Sequence, residues 1–108
     1  MAEYLSISSR DPFDCGDTEN YYELASGLAK DGNDVTLFLV QNGVLPARRG
    51  TKTQGLLDAS KAGVKILADS FSLKERGIKS DRMPSEIAAA ELNTVINKLA
   101  DGAKTMWH

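Results

Sequence analysis

Val35-Thr36-Leu37-Phe38-Leu39-Val40 decides the fold. The run is almost continuously apolar, and its β-branched and aromatic residues favour extended backbone. A strand that is apolar toward both sides belongs inside a parallel sheet whose two faces carry helices. Upstream, Tyr4-Leu5-Ser6-Ile7-Ser8 alternates and reads as a first strand. Between them, Thr18 is the expected N-cap of a helix carrying Tyr21, Leu24, Ala25, Leu28 and Ala29 on its inner face. Asp31-Gly32-Asn33 closes that helix. Downstream, a short helix over residues 53–62 stops at Gly63, and Val64-Lys65-Ile66-Leu67-Ala68 is a third strand. Residues 72–77 form one or two helical turns. Pro84 and Ser85 open what the pattern predicts as the longest helix, with Ile87, Ala88, Leu92, Val95, Ile96 and Leu99 buried and Gly102 as its stop. Lys104 to Trp107 is consistent with a final strand.

Strands alternating with helices predict one α/β domain over residues 1–108, a three-layer sandwich on a mainly parallel sheet. Right-handed crossovers are expected to put alternate helices on the two faces. The 108 residues are 42% hydrophobic and 26% charged, which is the balance of a folded globule rather than a disordered chain. No apolar run approaches the roughly 20 residues of a membrane helix. The start of the chain lacks a signal-peptide pattern, so a cytoplasmic protein without a membrane partner is expected.

Thirteen basic against fifteen acidic residues leave a formal charge of −2, which argues against a nucleic-acid partner. One cysteine, Cys15, excludes an internal disulfide, and the one histidine, His108, leaves neither a zinc site nor a Ser-His-Asp triad. No G-x-G-x-x-G or G-K-[ST] appears, so no cofactor is expected.

In an open parallel sheet, ligands gather outside the carboxyl ends of the strands. Three loops meet there: Arg10–Asp17 with Cys15, Asn42–Lys52 with Arg48 and Arg49, and Asp69-Ser70-Phe71-Ser72. Cys15 is the candidate nucleophile. A helix N-terminus, carrying roughly half a positive charge, lowers a thiol pKa. Asp11, Asp14, Asp17 and Glu19 oppose it, and together they favour an unreactive loop cysteine. Arg48, Arg49 and Lys52 read either as an anion or partner patch or, preferably, as a solvated loop. Asp69 reads either as an acid or base or as a helix cap. Tyr21, Tyr22 and Trp107 read as packing or interface residues.

Three segments in order resemble the DsrE/DsrF-like family: Phe38-Leu39-Val40-Gln41-Asn42-Gly43-Val44, Ala62-Gly63-Val64-Lys65-Ile66-Leu67-Ala68, and Ser72-Leu73-Lys74-Glu75-Arg76-Gly77-Ile78. The resemblance implies a flavodoxin-like sandwich that assembles into homo-trimers or hexamers. It also implies a sulfur-relay context, in which a persulfide on a cysteine at the end of the third strand is passed to a sulfur-carrier partner. That position is Asp69 here, and a second cysteine of some members falls on Ser72. Neither residue forms a persulfide. The implied roles are therefore a non-catalytic subunit that binds partners or ligands, through Asn42, Arg48, Arg49, Asp69, Ser70 and Ser72, or a persulfide carrier using Cys15.

Overall fold

The deciding run forms β2 (Asp34–Leu39), flanked by β1 (Glu3–Ser8) and β3 (Lys65–Asp69). The computed structural model describes residues 2–12, 16–48 and 53–108. Two further strands, β4 (Ile87–Ala90) and β5 (Lys104–Trp107), complete a five-stranded sheet in the order β4-β3-β2-β1-β5. Every neighbouring pair is parallel. The helices are α1 (Asp17–Lys30), α2 (Gln54–Lys61), α3 (Ser70–Glu75) and α4 (Asn93–Ala100). Short 3-10 turns cover Gln41–Ala47 and Ser80–Arg82.

Side chains alternate across β2. Val35, Leu37 and Leu39 join Tyr22 and Ala25 of α1, Leu56 and Ala59 of α2 and Leu73 of α3 in one buried cluster. Phe38 and Val40 point the other way and join Leu5, Ile7, Leu67 and Val95 of α4. Full burial of Phe38 contributes on the order of 1.5–3 kcal/mol. The helices are thus split three to one between the faces, not alternately. The strand order explains this. From β1 to β4 the sheet grows in one direction, so right-handed crossovers keep returning over one face. Only the step from β4 back to β5, beyond β1, reverses direction and carries α4 across the other face.

The C-terminal third departs from the expected single helix. Pro84 O accepts from Ile87 N at 3.1 Å, which turns the chain into β4. Ile66, Leu67, Ala68 and Asp69 then pair with Ile87, Ala88, Ala89 and Ala90. Three alanines favour helix in isolation, but ladder bonding to the otherwise open edge of β3 outweighs a propensity of tenths of a kcal/mol per residue. Ile87 and Val95 are buried as expected, whereas Ala88, Leu92, Ile96 and Leu99 are exposed.

On α1 the buried face is turned relative to the expected one. Tyr22 is the core aromatic, Tyr21 is half-buried and Leu24 is exposed. The helix starts at Asp17, so Thr18 lies inside it and makes no cap bond. Gly32, Gly63, Gly77 and Gly102 each follow a helix with positive φ, as the stop signals require. Among the described residues no helix is long and apolar enough to cross a membrane.

Candidate functional site

The carboxyl ends of β2 and β3 are tied together by a small polar network. Asp69 ends β3 and caps α3: its Oδ2 accepts from Ser72 N at 3.1 Å and from Ser72 Oγ at 2.7 Å. The Ser72 hydroxyl in turn accepts from Gln41 N at 2.9 Å. Asp69 and Ser72 are both buried, so these bonds form where water competes little. Gln41 adopts φ of 53°, a left-handed conformation that costs a non-glycine residue about 1–3 kcal/mol and directs its N–H at Ser72.

The next residues extend the network outward. Asn42 Oδ1 accepts from Arg76 Nε at 3.2 Å and Nη2 at 3.0 Å, and Arg76 Nη1 donates to Ser72 O at 3.4 Å. Arg76 also lies 3.8 Å from the Glu75 carboxylate. Gly43 packs against the end of β1, where an added Cβ would stand 2.1 Å from Ser8 O. No side chain fits there, so glycine is what lets the turn after β2 lie on β1.

A second tie joins β1 to β5. Tyr21 donates its hydroxyl to Met106 O at 3.0 Å and lies 3.4 Å from Ile7 O. Its ring stacks on His108 with centroids 4.9 Å apart. His108 N donates to Ile7 O and Ser9 N donates to His108 O, both at 2.8 Å. Burial raises the Tyr21 pKa, with bonding to Ser6 and Ile7 partly offsetting it. Burial, then the negative charges of Asp11 and Glu19, raise that of Tyr22 more strongly.

Of the residues singled out from sequence, the structure brings Asn42, Asp69 and Ser72 into one network. Ser70 is half-buried in the first turn of α3, and Arg48 is exposed, its carbonyl accepting from Thr53 Oγ1 at 2.8 Å. Cys15, Arg49 and Lys52 lie outside the described residues. Gln41, Arg76 and Tyr21 complete the ties and were not expected to. The Arg-Gly pair at the end of α3 was the available signal for Arg76, because a basic residue there favourably meets the helix C-terminus.

Chemically the network is a clasp. Asp69 is held by two donors from Ser72, and the described residues place no imidazole, amine or thiol beside the Ser72 hydroxyl to activate it. Among the described residues no group of His, Cys, Asp or Glu is arranged to hold a metal ion.

No curated protein matches the chain by sequence. In fold it is similar to the YchN protein of E. coli, with a TM-score of 0.87, 18% identity and full coverage of both chains. A protein of unknown function from Methanobacterium thermoautotrophicum matches with a TM-score of 0.81 at 14% identity, over 97% of this chain and 96% of that one. Another, from Bacteroides thetaiotaomicron, matches with a TM-score of 0.80 at 18% identity, over 98% and 95%. The sequence itself matches the model of one family along nearly all its length. Over residues 3–107 the chain belongs to the DsrE/DsrF-like family.

Proposed function

We propose that this chain is a non-catalytic, partner-binding subunit of a homo-oligomer, trimeric or hexameric, working in a sulfur-relay context. The observation that carries the reading is the state of Asp69. The residue at the position implied for the relay thiol is a buried carboxylate, engaged by Ser72 N and Oγ. A relay centre needs an accessible sulfur nucleophile at the strand end; a capped carboxylate stabilises the same turn and accepts no sulfur. Assembly is supported by Leu92, Ile96, Leu99 and Trp107, each more than half exposed on one side of the sheet. Apolar side chains of that size commonly form the core of subunit contacts.

Intact-mass spectrometry after incubation with a persulfide donor tests the reading, on wild type, Cys15→Ser and Asp69→Cys. The expected result is no sulfur on wild type beyond what the unfolded chain takes up, and efficient uptake by Asp69→Cys. Rapid, reducible uptake by wild type that vanishes in Cys15→Ser overturns it, making Cys15 a carrier thiol. Sedimentation tests the assembly: a single species of 11.7 kDa at micromolar concentration would refute it.

A further inference from the structure

We propose that the groove beside β4 receives an extended, acidic segment of a partner protein, paired to the sheet as a sixth strand. This surface is distinct from the Asp69 clasp, and the inference stands whether or not Cys15 carries sulfur. Among the described residues β4 is the end of the sheet and pairs only with β3, so none of their strands stands opposite its outer backbone groups. Exposed edges are commonly guarded by charge or proline. Ile87–Ala90 carries neither, and Ala88 and Ala89 are exposed. The opposite edge, β5, begins with Lys104 and bears the bulky Trp107.

A groove of about 320 Å³ runs beside this edge, between β4 and the segment following α3. Leu73, Ile78 and Met83 form its nearly buried floor, and Ala89 is its wall on the strand side. Gly77, at φ of 66°, turns the chain there, and a Cβ on it would meet no atom within 4 Å. The space is therefore open above an apolar floor. The charged side chains that line it are two lysines, Lys74 and Lys79, both exposed and without an ion pair among the described residues. Glu86 and Glu91 stand outside the lining at the two ends of β4.

These features select the occupant. Strand addition needs an extended backbone, the floor takes alternate apolar side chains, and the two ammonium groups attract carboxylates between them. The glutamates at the strand ends discourage acidic residues beyond the groove.

Fluorescence anisotropy is the test, using a short labelled peptide that alternates Val with Glu and a counterpart that alternates Val with Lys. The Glu peptide is expected to bind the wild-type chain about fivefold more tightly than the Lys peptide, the scale of two partly exposed ion pairs. Lys74→Glu with Lys79→Glu, both surface changes, is expected to reverse that preference. Ala89→Glu is expected to weaken the Glu peptide, and amide NMR shifts on its binding should fall on residues 73–79 and 87–90. Equal binding of the two peptides, or an unchanged preference in the double variant, overturns the proposal. So do shifts confined to another face. Loss of self-association in Ala89→Glu, without an effect on the peptide, makes a second copy the occupant and overturns it equally.

Discussion

Among the described residues, one face of the sheet gathers sixteen buried apolar residues under α1, α2, α3 and the turn after β2, while the other gathers six, with Val95 as the single contribution from α4. Both faces begin with the same kind of strand, since β2 is apolar on each side. The difference arises from strand order: three crossovers return over one face and one over the other. On the sparse side α4 is anchored by Val95 and by Lys98, whose ammonium lies 2.8 Å from the Glu3 carboxylate. Its outward residues Leu92, Ile96 and Leu99 remain apolar and exposed. A helix that is hydrophobic on its outer face as well as its inner one has the pattern of an element covered from both sides. Layer count alone does not say how completely each layer is covered.

Phe38→Ala tests whether the sparse face is a packed core. Phe38 is fully buried there, and its loss is expected to cost about 3–5 kcal/mol by urea unfolding. A cost under about 1 kcal/mol would mean that this side is not a packed core. Gly43→Ala probes the crowded junction of the two central strand ends. The Cβ placed against Ser8 O forces the turn to shift, with an expected loss of about 3 kcal/mol, at the upper end for overpacking. Asp69→Ala removes the cap and leaves Ser72 N–H and the Ser72 hydroxyl without their acceptor, for an expected loss of about 1–3 kcal/mol in the same measurement.

Leu92→Ser with Ile96→Ser probes the sparse face from its solvent side. Exposed positions should change the stability of the single chain by no more than about 0.5 kcal/mol each. Their effect is expected in sedimentation instead, as dissociation of the proposed oligomer. Tyr22→Phe, which removes a single oxygen, probes the well-covered face. The Tyr22 hydroxyl is buried and finds no hydrogen-bond partner among the described residues, so neutral-pH stability should hold or rise by up to about 1 kcal/mol. The sign at high pH follows from its raised pKa. The unfolded phenol ionises near 10 while the folded one stays neutral, so its contribution is intact below about pH 10 and falls as pH rises further. In denaturant titrations, Tyr22→Phe should flatten that alkaline loss.

The parallel α/β plan was legible because Val35–Val40 is apolar on both sides and helix stops stand at Gly32, Gly63 and Gly77. The predicted helix holds over Asn93–Ala100, and residues 84–92 depart from it for a specific reason. Ile87-Ala88-Ala89-Ala90 has the composition of a helix, and its strand exists through pairing with β3, a partner outside any local window. The region of the site was legible from topology, which brings Asn42, Asp69 and Ser72 to one edge. Its closure was not. The donor from Gln41 is a backbone N–H aimed by a left-handed φ that glutamine does not advertise, and the exchange of roles between Tyr21 and Tyr22 turns on one residue of helix rotation.

The pairing of β1 with β5 sets the timing of folding during synthesis. Leu5 lies opposite Thr105, so one edge of β1 waits for about a hundred residues to leave the ribosome. Its other edge is taken much sooner, since Glu3 pairs with Asp34. Any sheet that forms before β5 emerges leaves that edge of β1 as a bare margin until α4 has crossed over. Such a margin is a template for wrong partners, and the delay makes chaperone shielding most valuable during that interval.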